Sequence, residues 1–320
     1  MPQKKKPNEQ TLTRIYDASV ELVWNAWVNP KQVAHWWGPR GFTITTHSKD
    51  LITGGFWRYT MHGPDGTDYP NKTVYHEVEK YKKLVYDHGA TDETPPLFRV
   101  TVTFEPVGKK TQMQLTMSWP TAEIAIEMQK FIKLANGNST WDRLAEYLQR
   151  ENQPDSKTEI FVINRSFSVP VEKLFEMWTH PEHLSRWLPP SGATMQFVEA
   201  RIAEGQESFY KMSFDSGLVL YGKNNYLQIV RPERIEYIQS FCDEHGGPSK
   251  HPRLPTWPEK MRTSVQFSPE DESQTRVTVT WQPLGQVSAH ELKAFVNLKS
   301  GMNQGWGQSF DQLEELLENN

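Results

Sequence analysis

Apolar residues recur along this chain with period two in some segments and period 3.6 in others, and the same succession of segments occurs twice. Leu12 to Tyr16 alternates and predicts a strand. From Val20 to Val28, the positions Val20, Val23, Trp24 and Trp27 fall at i, i+3, i+4 and i+7 and predict an amphipathic helix. Asn29-Pro30 restarts the chain as a second short helix, because a capping-type residue precedes a proline whose fixed φ suits the first helical position. Proline stops that helix in Trp36-Trp37-Gly38-Pro39. The same order runs from Ile160 to Phe167, through Val171, Leu174, Phe175 and Trp178, to His180-Pro181 and Trp187-Leu188-Pro189-Pro190. Arg14 to Gly41 overlies Arg165 to Gly192 without a gap, at an offset of 151 (165 − 14), with identical pairs such as Trp27/Trp178, Pro30/Pro181 and Trp36/Trp187. A period this long makes each copy a whole domain and not a solenoid repeat.

Beyond the two helices the rhythm returns to alternation. Trp57, Tyr59 and Met61 predict a strand that ends in the turn His62-Gly63-Pro64-Asp65-Gly66, and Tyr210 and Met212 repeat it. Tyr75 to Tyr86 overlies Tyr226 to Tyr237, Val100-Val102-Phe104 answers Thr263-Val265-Phe267, and Leu115-Met117-Trp119 answers Val277-Val279-Trp281. Sustained alternation predicts antiparallel strands with one buried face. Each copy closes with a periodic segment, Ile124 to Leu148 and Leu292 to Leu317, interrupted at Asn136-Gly137-Asn138 and at Gly301-Met302-Asn303. The expected fold class is therefore α+β. It consists of two tandem helix-grip domains, each a curved antiparallel sheet wrapped around a long C-terminal helix, with two short helices after the first strand. The boundaries follow composition: residues 1–10 a disordered polar tail, 11–150 the first domain, 151–157 a linker within the apolar-free stretch Gln149 to Thr158, and 158–320 the second domain.

Composition narrows the chemistry. A chain of 320 residues with 37% hydrophobic content can fill two cores. A net charge of −4 offers no basic field for a phosphate backbone, so no nucleic-acid partner is expected. The one basic cluster, Lys4-Lys5-Lys6, adjoins no apolar helix, and no apolar run is long enough to cross a bilayer, so no membrane association is expected either. The single cysteine, Cys242, allows no internal disulfide and fits a reducing compartment, here the cytoplasm. His245 and His251 share a loop with Cys242, but no His-x-x-x-His or Cys-x-x-Cys spacing occurs, and no metal or cofactor is expected. The acidic runs Asp271-Glu272 and Glu314-Glu315 read as solvated faces, leaving no catalytic carboxylate pair and no catalytic residue to assign.

Several further residues complete a family likeness: Gly54-Gly55 before Trp57-Arg58-Tyr59, the turn Gly63-Pro64-Asp65-Gly66, Pro232-Glu233-Arg234 before a strand, and Gly305-Trp306 leading to Asp311-Gln312-Leu313. In this order and in both copies they resemble the homologues of the heat-shock-protein-90 ATPase activator C-terminal domain, within the START-like, birch-pollen-allergen-like (SRPBCC) superfamily of ligand-binding domains. The resemblance covers roughly residues 11–150 and 158–320. It implies a ligand cavity between sheet and helix. The copies differ at Asn136-Gly137 against Gly305-Trp306, and the second carries an insertion-like stretch, Cys242 to Lys260, expected near a cavity mouth. Aromatic residues expected on the concave faces are the candidate ligand-binding set: Trp37, Tyr59, Tyr86, Trp119 and Trp141 in the first copy, and Trp187, Tyr210, Tyr237, Trp281 and Trp306 in the second. Core packing is the competing explanation for each. The expected function is non-enzymatic binding of a small apolar or amphipathic molecule. The alternatives are a co-chaperone-like protein-interaction module, with a chaperone or other protein as partner, and a cyclase- or dehydratase-type enzyme, which needs an ionisable group inside the cavity.

Overall fold

In the computed structural model, which describes residues 6–134, 137, 139–152 and 159–319, the chain divides into two units at residues 152/153. The first contains β1 (Glu9–Tyr16), α1 (Val20–Val28), α2 (Pro30–Val33), β2 (Thr43–Lys49), β3 (Phe56–His62), β4 (Asp68–Glu79), β5 (Lys83–Ala90), β6 (Phe98–Val107), β7 (Lys110–Ser118), α3 (Ala122–Leu134) and α4 (Ser139–Glu151). Its strands form one sheet in the order β1-β7-β6-β5-β4-β3-β2, with every pairing antiparallel. The first strand thus closes onto the last, from Glu9 opposite Ser118 to Tyr16 opposite Thr111. The second unit repeats the plan with β8 (Phe161–Phe167), α5 (Val171–Thr179), α6 (Pro181–Trp187), β9 (Ala193–Glu199), β10 (Glu207–Phe214), β11 (Val219–Val230), β12 (Arg234–Cys242), β13 (Lys260–Pro269), β14 (Thr275–Pro283), α7 (Ala289–Asn297) and α8 (Lys299–Glu318), in the order β8-β14-β13-β12-β11-β10-β9.

Local chemistry explains the helix pairs. The Ser19 hydroxyl accepts from the Leu22 N–H at 3.4 Å and starts α1, and the Asn29 carboxamide oxygen accepts from Lys31 and Gln32 at 2.9 and 3.4 Å to start α2. His180 does not cap as the sequence led us to expect. Its Nδ1–H donates back to the Glu176 carbonyl at 3.1 Å, and Pro181 alone sets the start of α6. Trp36 and Trp187, wholly buried, each donate an indole N–H ten residues back, to Ala26 at 3.0 Å and Met177 at 2.9 Å. This satisfied polar atom lets a large ring sit in the core beside Trp27 or Trp178. Gly54 (φ +84°) and Gly205 (φ +74°) make the same left-handed turn before the third strand of each unit, β3 and β10, with N–H bonded to Tyr75 and Tyr226 carbonyls at 2.8 Å.

Three expectations change. Glu9 and Gln10, expected in the tail, are paired in β1 because their backbone groups find Ser118 and Met117; residues 1–5 lie outside the described residues. Gln149, Arg150 and Glu151 continue α4, and the Asn152 carboxamide donates to the Asp17 carbonyl at 2.6 Å. The rest of the expected linker, 153–157, is likewise outside the described residues, as are Asn136 and Asn138. Finally, each closing helix is two helices. In the second unit a capping box of Ser288 and Glu291 starts α7, the break to α8 falls at Leu298, and Gly301-Met302-Asn303 lies inside α8.

Candidate functional site

A cavity of about 470 Å³ opens between the sheet and the closing helices of the first unit. Strand alternation decides what faces it. On β5, Tyr86 and His88 point in, while Asp87 between them faces out and is held by Arg99 (2.8 Å) and His76 (2.7 Å). Met61 comes from β3, Tyr69 and Asn71 from β4, Phe98 and Val100 from β6, and Leu115 and Met117 from β7. Trp37, Gly38, Pro39 and Phe42 contribute the loop after α2; Met128, Phe131 and Ile132 line it from α3, and Thr140 and Trp141 from α4.

The loop wall is tied to α4 by one side chain. Arg143 Nη1 donates to the carbonyls of Gly38 (2.7 Å), Pro39 (2.9 Å), Phe42 (3.1 Å) and Trp37 (3.4 Å), and Nη2 to that of His35 (3.3 Å). Burial lowers the guanidinium to about 10, which leaves it cationic at neutral pH. Beside it the Arg40 guanidinium grips the Glu146 carboxylate at 2.5 and 3.1 Å. In the second unit Gln312 stands where Arg143 does and reaches one carbonyl, Pro189, at 2.6 Å, while the Ser309 hydroxyl holds Leu188 at 2.7 Å.

Of the first unit's expected site residues, Trp37, Tyr86 and Trp141 line the cavity. Tyr59 does not. Its ring stacks on Trp57 at 4.1 Å and its hydroxyl accepts from Trp37 Nε1 at 3.2 Å, so it supports the wall from behind. Trp119 follows the end of β7 and packs on Phe98 at 5.6 Å, one layer away from the space.

The second unit has a cavity of about 370 Å³ lined in part by Gln239, Phe241, Met261, Trp281, Leu298 and Met302. The 242–260 stretch forms one side through His251, Leu254, Trp257, Pro258 and Glu259. Trp281 alone of the expected set lines it. Trp187 is spent on the helix pair, the Tyr210 hydroxyl accepts from Gln239 Nε2 at 2.7 Å beneath Gly222, Tyr237 packs on Tyr226 at 5.6 Å, and Trp306 is wedged between Trp281 (5.8 Å) and Phe310 (5.5 Å). These rings fill the interior they were expected to border, and the space moves toward the long loop.

The residue that sequence reasoning passed over is His88. It shares its parity on β5 with Leu84 and Tyr86, which was the available signal. Its ring lies 5.0 Å from Phe98 and 6.1 Å from Trp37. Burial without a nearby countercharge lowers it to about 4, so it is a neutral imidazole at pH 7. Burial also raises the Tyr86 hydroxyl well above its ordinary value, with smaller contributions from Tyr59 and Tyr75. Lys49, lowered by burial to about 7, is outside this cavity: its ammonium donates to the Trp27 carbonyl at 2.8 Å and sits 4.0 Å from the Trp57 ring centroid. Among the described residues no carboxylate, ammonium or guanidinium lines the cavity, no group of three or more His, Cys, Asp or Glu could hold a metal, and no helix is long and apolar enough to cross a membrane.

Two sheet-and-helix units of this topology are tandem START-like, helix-grip domains. The chain belongs to the family described as activator of Hsp90 ATPase homologue 1-like proteins, whose model matches residues 17–149 and 168–318. No curated protein matches it. Among solved structures it is similar to a Nitrosomonas europaea protein, at 21% identity over 47% of this chain and 99% of that one with a TM-score of 0.43. It is also similar to a Staphylococcus epidermidis protein, at 26% over 50% and 90% with a TM-score of 0.40. A third is BexL, a di-domain ARO/CYC protein from the BE-7585A biosynthetic pathway, at 12% over 96% and 97% with a TM-score of 0.39.

Proposed function

We propose that the first unit binds a small apolar or amphipathic molecule in its cavity and does not transform it. The observation that carries this reading is the cavity itself: about 470 Å³, walled by apolar and aromatic side chains, with a few polar groups and no charge. An occupant burying roughly 250 Å² of apolar surface gains about 6 kcal/mol gross at ~25 cal/mol/Å², which by apolar burial alone corresponds to a Kd no tighter than tens of micromolar. The second unit's smaller cavity is a separate candidate for a different occupant, because its polar groups, among them Gln239, His251 and Glu259, are not those of the first. We place this activity in the cytoplasm: Cys242 is the only thiol, and burial raises it to about 11, which makes it unreactive.

His88 is what favours catalysis as a second reading, since a cyclase or dehydratase needs an ionisable group in the cavity. An imidazole lowered to about 4 is a weak base at neutral pH, and no carboxylate orients it, so binding is the stronger reading. The test is a thermal-shift panel of lipids and aromatic metabolites on the full chain, with Met117→Trp filling the cavity. A ligand at a hundredfold excess over Kd stabilises by about 2.7 kcal/mol, roughly 5–10 °C, and the variant should lose that shift. A flat response across the panel refutes the proposal.

A further inference from the structure

We infer that the first cavity selects an uncharged aromatic molecule bearing a hydroxyl group, whose O–H donates to the His88 imidazole. This rests on the binding reading above and names the ligand class. Two sets of observations lead to it.

The first is shape. Trp37, Phe42, Tyr69, Phe98, Phe131 and Trp141 present rings from the α2–β2 loop, β4, β6, α3 and α4. Planar faces on several sides favour a planar occupant, which gains offset and edge contacts as well as burial.

The second is unused hydrogen-bonding capacity. Neither ring nitrogen of His88 has a hydrogen-bond partner among the described residues, and neither does the Tyr86 hydroxyl. A neutral imidazole offers one N–H and one lone-pair nitrogen, the strongest acceptor on these walls. The groups facing His88 are Trp37 from the loop, Tyr69 and Asn71 from β4, Tyr86 from β5, Phe98 from β6, Phe131 from α3, and Thr140 and Trp141 from α4; none carries charge at neutral pH. The Asn71 carboxamide N–H already donates to the Tyr69 carbonyl at 3.0 Å. With no carboxylate present to hold an imidazolium and no cation to receive an anion, a charged ligand meets only the cost of desolvation. A hydroxyl meets a matched pair. Tyr86 and His88 are two residues apart on one strand face, roughly 7 Å, so a single ligand oxygen between them donates to His88 and accepts from Tyr86. An aromatic hydroxyl is the stronger donor and stays uncharged at pH 7.

The experiment titrates the full chain at pH 7.5 with naphthalene, 2-naphthol and 2-naphthoate, following binding by calorimetry or tryptophan quenching. The expected result is 2-naphthol bound about tenfold more tightly than naphthalene, the worth of one well-placed hydrogen bond, with 2-naphthoate weakest. His88→Leu should abolish the preference, so that 2-naphthol and naphthalene bind alike. His88→Gln, which keeps an acceptor, should restore part of the preference and serves if His88→Leu does not fold. Equal binding of naphthol and naphthalene to the native chain, or a preference that survives both substitutions, overturns the inference while leaving apolar binding intact. Absence of binding by all three probes also overturns the inference, and the lipid arm of the thermal-shift panel then decides the binding reading separately.

Discussion

Acidification should destabilise the first unit through one residue, His88. Its imidazole titrates near 6.5 when the chain is unfolded and near 4 in the folded state. A folded-state value below the unfolded one means that the unfolded chain binds the proton more readily. The stability that depends on a neutral His88 is therefore complete above pH 6.5 and is lost as the pH falls from there toward 4. From those two values the loss is about 1.4 kcal/mol at pH 5.5 and about 2.6 kcal/mol at pH 4.5. Because the ring is partly accessible through the cavity, these are upper figures. Asp65, Asp87 and Asp92 are all held below the ordinary carboxylate value, so their own losses fall at lower pH. The assay is urea unfolding of the full chain at pH 7.5 and 5.5, native against His88→Leu. The substitution should flatten the pH dependence of one transition by about 1 kcal/mol, a shift of roughly 2–4 °C in a matching thermal scan. Equal acid sensitivity in both proteins would refute the argument that His88 is buried neutral.

Other parts of the structure make independent predictions. Lys49 is lowered to about 7 against 10.5 when free, so stability should rise with pH between 7 and 10, and Lys49→Met should abolish that rise in unfolding measured across the range. Arg143→Gln replaces a guanidinium shared by five carbonyls with the side chain that holds one in the second unit; a loss of about 2 kcal/mol, read as a fall in unfolding midpoint, is expected. Gly222→Ala drives a Cβ into the Tyr210 hydroxyl, which should destabilise the second unit by about 1–3 kcal/mol in denaturant titration, partly recovered by adding Tyr210→Leu.

How much of this was legible beforehand varies with the range of the interaction. The repeat, the bounds of α1, the cap at Asn29 and the alternation of the sheet strands other than β2 and β9 depend on neighbours a few residues apart, and the sequence carries them. The family likeness holds over both copies. Tyr59 and Trp119 show where reading stops. Alternation puts Tyr59 on the inner face, but whether an inner side chain borders space or lies behind a neighbour depends on Trp37, which arrives from the segment after α2. The break at Leu298 was misplaced for a similar reason, since Gly301 is tolerated within a helix that packs against its sheet.

By itself, then, the sequence determined which faces are apolar, where the helices start, and that two domains share one plan, because periodicity and capping act locally. Tertiary structure decided where the interior is empty and which polar group looks into it. Cavity position is set by the summed volumes of side chains brought together from distant segments, and in the second unit Trp187, Tyr210, Tyr237 and Trp306, packed solid, leave the space elsewhere. His88 stays neutral in mild acid only because of those surroundings: the same imidazole, solvated in an unfolded chain, would titrate near 6.5.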